Sequence, residues 1–383
     1  MVIVEKELCT GCEACASVCP QKCITMNADD FGFLHPSVDE DRCIQCNLCK
    51  LTCPASRPPE KRELKVYAAY DKNGDSRMRA SSGGVFGLLA GEVLRNRGVV
   101  FGAAYDETFA VYHTAAASAQ DLDRLKRAKY SQSRIDHAYQ IAKEHLDAGR
   151  EVLFSGTPCQ IAGLKAYLRK DYDSLLAVDL ICMAVPSPKA WRSYLQYRKD
   201  TDRQDDLPVA INQRDKTSGW SRYQYSIKMK YASGYEYSAK SGEDPYMLAM
   251  TQGLITRTSC TNCAFRGEQS KADITLGDFW GIWNQQPEMD DNKGTSAVII
   301  HTEKGERALY AIMPKANIMP MRMEQLSAEN IRAEHSPARN ENRDSFLQTL
   351  TWNSIPSQQN QTHQKRNAAR KVLARIKRII KNP

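Results

Sequence analysis

Between residues 85 and 97 the apolar positions Val85, Phe86, Leu88, Leu89, Val93 and Leu94 recur at helical spacing and stop at Arg97. The pattern on either side is extended. Val66-Tyr-Ala-Ala-Tyr70 reads as a strand before this helix, and Gly98-Val-Val-Phe-Gly-Ala-Ala-Tyr105 as a buried strand after it. The alternation then returns. Glu151-Val-Leu-Phe-Ser155 predicts a strand, Gly156-Thr-Pro-Cys159 a turn, Gln160 to Leu168 a helix, and Leu175 to Ile181 a second strand ending at Cys182. Strands joined by one helix pair in parallel with a right-handed crossover. Their carboxyl ends then share an edge, where ligands bind in open α/β sheets. Cys159 and Cys182 follow those ends directly and are expected on the same edge, with a helix start favouring the Cys159 thiolate.

Residues 198–245 break this rhythm. They are polar and rich in Tyr, Arg and Ser, with an alternating Tyr223-Gln-Tyr-Ser-Ile-Lys-Met-Lys-Tyr231 that predicts a two- or three-strand antiparallel insertion, a lid or substrate wall. Beyond it, Ala272 to Gly281 reads as a strand opening into a loop with Asp278, Phe279 and Trp280. Ser296-Ala-Val-Ile-Ile-His301 is another buried strand, and Gly305–Met313 is helical.

The N-terminal stretch has a different grammar. It reads C-T-G-C-E-A-C-A-S-V-C-P at Cys9, Cys12, Cys15 and Cys19, and C-I-Q-C-N-L-C-K-L-T-C-P at Cys43, Cys46, Cys49 and Cys53. Each copy is the C-x2-C-x2-C-x3-C-P run of bacterial two-cluster ferredoxins, in which the fourth cysteine reaches across to the other cluster. Cys9, Cys12, Cys15 and Cys53 are therefore assigned to one 4Fe-4S cluster, and Cys43, Cys46, Cys49 and Cys19 to the second. A hairpin is expected between the runs, with Cys23-Ile-Thr-Met and Phe31-Gly-Phe-Leu-His flanking residues 27–30. Cys23 fits no ligand position and reads as a small buried apolar residue.

The totals sharpen this picture. At 383 residues the chain suits two or three domains, and 42% hydrophobic content supports a substantial core. No run of 18 apolar residues occurs, and the N-terminus lacks a signal-peptide pattern. Thirteen cysteines at cluster spacing point to a reducing cytosol rather than a secreted disulfide framework. Residues 354–383 hold 8 of the 53 basic residues and 0 of the 45 acids, so the whole net charge of +8 resides in the tail. Within it, Ala368 to Ile380 forms a short basic amphipathic helix on paper. Two readings stay open: a solvated or partner-docking tail, and a peripheral contact with an anionic membrane at the inner face. We expect no nucleic-acid partner.

Four cysteines remain: Cys159, Cys182, Cys260 and Cys263. Four thiolates suffice for one tetrahedral zinc or one further 4Fe-4S cluster, and unconnected cysteines are the bland alternative. The iron–sulfur reading gains from context, because electrons leaving the N-terminal clusters need an acceptor nearby. Two polar stretches carry weaker indications. Ser81-Ser-Gly-Gly84 at a helix start can cap the helix or present free N–H groups to a phosphate. Ala128-Lys-Tyr-Ser-Gln-Ser133 has side chains that could grip a dinucleotide, although its composition alone reads as a solvated loop.

Taken in order, S-S-G-G (81–84), K-Y-S-Q-S (129–133), G-T-P-C-Q-I-A-G-L (156–164), D-L-I-C-x-x-V-P-S-P (179–188), C-x-x-C (260–263) and A-D-I-T-L-G-D-F-W-G-I (272–282) resemble the beta subunit of coenzyme F420 hydrogenases and dehydrogenases, in the bacterial form with a fused N-terminal dicluster ferredoxin. The resemblance implies FAD beside a third 4Fe-4S cluster. Its ligands would be Cys159, Cys182, Cys260 and Cys263, and Ser82, Gly83, Gly84, Lys129, Tyr130, Gln132, Ser133, Gly156 and Thr157 would contact the flavin. The expected fold is α+β with α/β: a dicluster ferredoxin-like domain at 1–58, then a mixed α/β flavoprotein domain with a parallel βαβ unit, in parts at 64–145 and 150–335, and the tail at 354–383. The family's usual Cys-His-Gly is Cys182-Met-Ala here. Bacterial members of this type also resemble proteins found with polysaccharide-assembly enzymes. The leading functional reading is a cytoplasmic iron–sulfur flavoenzyme passing electrons between clusters and a small organic substrate or deazaflavin-type coenzyme. Its partner is a redox protein or a reduced ferredoxin-type donor. The second reading is an electron-relay subunit feeding a partner enzyme, and no catalytic residue is assigned.

Overall fold

The computed structural model describes residues 3–56, 63–221 and 224–355. The basic tail lies outside them beyond residue 355.

Among the described residues, thirteen strands form three sheets. The N-terminal module holds the hairpin β1 (Ile24–Ala28) and β2 (Leu34–Val38), paired antiparallel as its sequence requires. The central sheet takes β3 (Lys65–Asp71), β4 (Val99–Tyr105), β5 (Val111–Ala116), β6 (Val152–Ser155) and β7 (Leu175–Leu180). It is completed by β11 (Ile274–Asp278), β12 (Ser296–Ile300) and β13 (Ala316–Met321). Their order across the sheet is β13-β3-β12-β11-β7-β6-β4-β5. The four neighbours β4, β6, β7 and β11 run parallel, and the flanking pairs are antiparallel. Strand β6 is uniformly apolar over Val152, Leu153 and Phe154 because helices cover both of its faces, and all three are fully buried. On one face lies the helix Val85–Arg95, whose Val85, Leu89 and Val93 pack on Leu153, Val178 and Val298. On the other lie Ala138–Asp147 and Pro158–Leu168, packing Tyr139, Ile161 and Leu164 against Phe101 and Phe154.

The predicted insertion is a third sheet, β8 (Ala210–Asp215), β9 (Ser226–Lys230) and β10 (Glu236–Lys240), in the order β10-β9-β8. It starts later than its composition suggests, because residues 198–201 complete the helix Pro188–Thr201. That helix turns Trp191, Tyr194 and Leu195 into an aromatic core shared with Tyr225, Ile227 and Met229.

The two Cys runs adopt the same backbone in opposite surroundings. Each passes through two left-handed residues, Gly11 (φ +66°) and Glu13 (φ +63°) in the first, Gln45 (φ +54°) and Asn47 (φ +60°) in the second. Each then enters a five-residue helix, Ala14–Val18 or Leu48–Thr52. In the first run Gly11, Cys12, Glu13 and Ala14 are buried, and Cys12 and Ala14 belong to the core beneath the helix Pro158–Leu168. In the second, residues 44–47 are all exposed. Glu13 fixes the docking, since its two carboxylate oxygens accept the backbone N–H groups of Ile135 (2.8 Å) and Asp136 (3.1 Å).

Candidate functional site

Parallel strands deliver chemistry to one edge, and a large cavity lies there. It measures about 1570 Å³ counting its open mouth. Its floor is the carboxyl ends of β6, β7 and β11, through Ser155, Leu180, Ile181, Gly277 and Asp278. The turn Gly156–Thr157, residues 126–133 and Ser81, Ser82 and Gly84 form its sides, and Arg214 of β8 closes it from the insertion. Cys159 opens onto it, and so do Thr10 and Gly11, which lie between two cysteines of the first run.

The cysteines gather in three places. Cys9, Cys12, Cys15 and Cys53 surround one small cavity. Cys19, Cys43, Cys46 and Cys49 surround another, with Cys23 beside them. Cys23 is buried, and its Sγ lies 3.4 Å from that of Cys19. The third set comprises Cys159, Cys182, Cys260 and Cys263, close enough that their neighbours' charges help raise Cys159 and Cys182. The Val185 N–H donates to Cys260 Sγ at 3.4 Å. No cysteine among the described residues is in a disulfide. Nor does any group of three or more His, Cys, Asp or Glu side chains among them draw together tightly enough for a single metal ion.

Burial dominates the chemistry of these thiols. It pushes Cys15 and Cys159 up to about 12 and Cys12 and Cys182 well above their ordinary value. The expectation that the helix start would favour the Cys159 thiolate is thus corrected. One helix terminus cannot offset desolvation on this scale, and only a cationic metal centre would hold these sulfurs ionised. Such a donor set, soft and desolvated, fits iron.

Around the cavity the polar groups are pre-set. His113 is buried, with Nδ1 2.7 Å from Ser133 Oγ and Nε2 3.0 Å from the Ser155 carbonyl. A carbonyl only accepts, so the proton sits on Nε2, and burial pushes the imidazole down to about 4. Lys129 donates to the carbonyls of Lys126 (2.8 Å) and Arg127 (3.2 Å). Burial first, then the charge of Arg127, push it down to about 7. Arg214 pairs with Asp278 at 2.7 and 3.0 Å and leaves its buried Nε without a hydrogen-bond partner. Burial opposes its charge, but Asp278 more than offsets this and holds the guanidinium above its usual range.

Of the flavin contacts implied by the sequence, Ser82, Gly84, Lys129, Tyr130, Gln132, Ser133, Gly156 and Thr157 line the cavity. Gly83 does not, and its assignment is corrected. Its N–H donates to Ser296 Oγ at 3.0 Å, and a Cβ there would lie 2.4 Å from the Ala69 carbonyl oxygen. This glycine serves the packing of its turn on the sheet. The reading of 128–133 as a solvated loop also fails, since Ser131, Gln132 and Ser133 are buried. His113, Arg214, Glu13 and Arg257 escaped sequence reasoning. Only the polarity of the insertion pointed towards Arg214.

Residues 149–324 match the family described as the C terminus of the beta subunit of coenzyme F420 hydrogenase/dehydrogenase, and residues 8–56 match the 4Fe-4S dicluster domain. The chain is 35% identical over 83 residues to the iron–sulfur A subunit of the CoB–CoM heterodisulfide reductase of Methanocaldococcus jannaschii, covering 16% of this chain and 12% of that protein. It thus spans about an eighth of that relative's length. It is 31% identical over 71 residues to an uncharacterized ferredoxin of the same organism, covering 17% of this chain and 91% of the ferredoxin. Among solved structures it resembles a chain of the xenon-derivatised F420-reducing NiFe hydrogenase complex from Methanosarcina barkeri. There the TM-score is 0.49 at 18% identity, over 76% of this chain and 92% of the other. The chain therefore joins a 4Fe-4S dicluster domain at its N-terminus to a region that matches the C-terminal domain of the coenzyme F420 hydrogenase/dehydrogenase beta-subunit family.

Proposed function

We propose that the chain is an iron–sulfur flavoenzyme that passes electrons between 4Fe-4S clusters and a small organic substrate through FAD bound in the cavity at the strand ends. One observation carries this reading. Cys159 of the third set and the Thr10–Gly11 loop of the first Cys run border the same cavity. A redox group held there would lie beside two sets of cluster ligands at once. When bound, a flavin supplies the exchange between one-electron clusters and two-electron organic acceptors.

The residues present suit such a guest. Gly84, Gly156 and Thr157 expose backbone at two helix starts, and Ser82, Lys129, Tyr130, Gln132 and Ser133 supply polar contacts. Arg214 offers an unused buried N–H. His113 stays neutral and locked between Ser133 and the Ser155 carbonyl, so it orients rather than transfers protons. Lys129 uses two N–H donors on carbonyls, which leaves an ammonium a third for the cavity. Electrons would enter at the exposed second cluster (Cys19, Cys43, Cys46, Cys49), pass to the buried first cluster (Cys9, Cys12, Cys15, Cys53), and reach the third (Cys159, Cys182, Cys260, Cys263) beside the cavity. The donor is a separate redox protein docking at the second cluster. The insertion β8–β10 walls the substrate side.

The test is the cofactor content of anaerobically purified full chain. About twelve irons and twelve labile sulfides are expected, from three cubanes of four irons each, together with one FAD. Eight irons with one tightly bound zinc would remove the third cluster. Protein free of flavin after gentle purification, and unable to take up FAD, would remove the flavin reading.

A further inference from the structure

Arg257 is 2% exposed and lies where the two domains meet. Its Nε donates to the carbonyl of Cys9 at 2.7 Å, one Nη to Gln132 Oε1 at 3.2 Å and the other to the carbonyl of Leu34 at 2.9 Å. Its own carbonyl accepts the Cys260 N–H at 3.2 Å. One residue thus touches the first Cys run, the third cysteine set and the 129–133 wall of the cavity. The chain has made room for it. A Cβ on Gly11 would lie 2.9 Å from its Nη.

All its hydrogen-bond partners are neutral. Among the described residues no carboxylate lies within ion-pair distance of this guanidinium. The His35 ring, 3.3 Å away, brings no negative charge. Asp29 is engaged by Lys6 and His35 instead. An arginine keeps its charge in a protein, and a buried charge without a counter-charge is costly. Carbonyls satisfy its donors but do not neutralise it. It sits directly on the two ligand segments, its Nε on the Cys9 carbonyl and its own carbonyl on the Cys260 N–H. A 4Fe-4S core held by four thiolates is an anion, and reduction adds one more negative charge.

We propose that Arg257 is the shared counter-charge of two clusters, the one held by Cys9, Cys12, Cys15 and Cys53 and the one held by Cys159, Cys182, Cys260 and Cys263. It raises the reduction potential of both. The second cluster, whose ligand loop at 44–47 is exposed to screening water, feels it least. An electron arriving there therefore runs inward. The inference rests on the proposed cluster placement. Arg257 acts as a positioning and tuning residue and touches no substrate.

The test uses full-length holoprotein carrying Arg257→Met or Arg257→Lys, with iron and labile sulfide measured first and each cluster then titrated by EPR-monitored potentiometry. In Arg257→Met, at fixed ambient potential, the reduced-to-oxidised ratio of the first and third clusters should fall about tenfold, or 59 mV for a one-electron couple. The second cluster should move much less. Arg257→Lys, which keeps the charge and loses the fork, should leave the ratios within roughly threefold of the parent protein. Unchanged ratios in an iron-replete Arg257→Met protein would overturn the proposal. So would an equal shift of all three clusters, or Arg257→Lys shifting as far as Met. Should the Met variant lose iron, the Lys variant decides alone, a tenfold fall refuting the charge argument. Eight irons in the unmutated protein would instead remove the third cluster, and the proposal would then be judged on the first.

Discussion

The Arg214–Asp278 pair is what fastens the insertion to the cavity, and its strength can be worked from its geometry. The guanidinium of β8 meets the carboxylate of β11 through two hydrogen bonds of 2.7 and 3.0 Å, with side chains 4% and 14% exposed. Asp278 also accepts the Trp220 indole N–H at 2.9 Å, and Arg214 lies 4.1 Å over the Tyr225 ring. Removing one partner of a buried pair typically costs about 3–5 kcal/mol, whereas an exposed pair is worth about 0–1. Asp278→Asn keeps the shape and one acceptor, so a loss of about 3 kcal/mol is expected. The partner variant Arg214→Met allows a double-mutant cycle by anaerobic denaturant unfolding. A coupling energy of about 2–3 kcal/mol is expected, with faster protease cleavage in 210–240 in both single variants. A coupling below about 0.5 kcal/mol would show the pair to be ornamental, and the insertion would then be held by its aromatic core alone.

Three further outcomes follow from the same geometry. Gly83→Ala should lower stability by about 1–3 kcal/mol, because its Cβ meets backbone at 2.4 and 2.7 Å. Gly91→Ala, with open space at its Cβ inside the helix Val85–Arg95, should raise it by about 0.5–1. Thermal unfolding of the two side by side checks the contrast, and equal shifts would refute it. Cys260→Ala should remove one cluster and leave the N-terminal pair in the iron count and EPR spectrum. Survival of all three would show the ligand set to be wrong. Lys129 has a folded pKa of about 7, below its unfolded value of about 10.4. The unfolded chain therefore binds more protons between these limits, and the contribution of Lys129 to stability rises with pH across that window. Lys129→Met should flatten this rise in unfolding free energy measured between pH 7 and 9.5. An unchanged slope would place the amine in water.

The parts of the site legible in the sequence were those fixed by local chemistry. Eight thiols at fixed spacing fold into two loops whatever follows them. The turn at Gly156–Thr157 had to end a parallel strand, because Val152–Phe154 is apolar throughout and a helix comes next. What stayed hidden depended on neighbours far along the chain. Ser131 to Ser133 look solvated until Gln132 is seen reaching Gly11 and Arg257. Gly83 looks like a phosphate cradle until Ala69 and Ser296 are brought against it by sheet order. Arg257 precedes Cys260 by three residues and reads as an ordinary surface charge, and only the docking of the N-terminal module buries it. His113 gave no sequence indication, for a lone histidine on a strand is unremarkable until Ser133 and Ser155 are found at its two nitrogens.

The two Cys runs share a left-handed backbone. A loop of this shape serves both ends of the module, since residues 11 and 45, and 13 and 47, all take a positive φ. Only the side chains differ: glycine and glutamate where the loop is clasped, glutamine and asparagine where it is bare. The symmetric half-motifs have thus been given unequal insulation, one sheathed and the other stripped. Exchanging the two tetrapeptides Thr10–Glu13 and Ile44–Asn47 would keep every cysteine while stripping the sheath from the inner end.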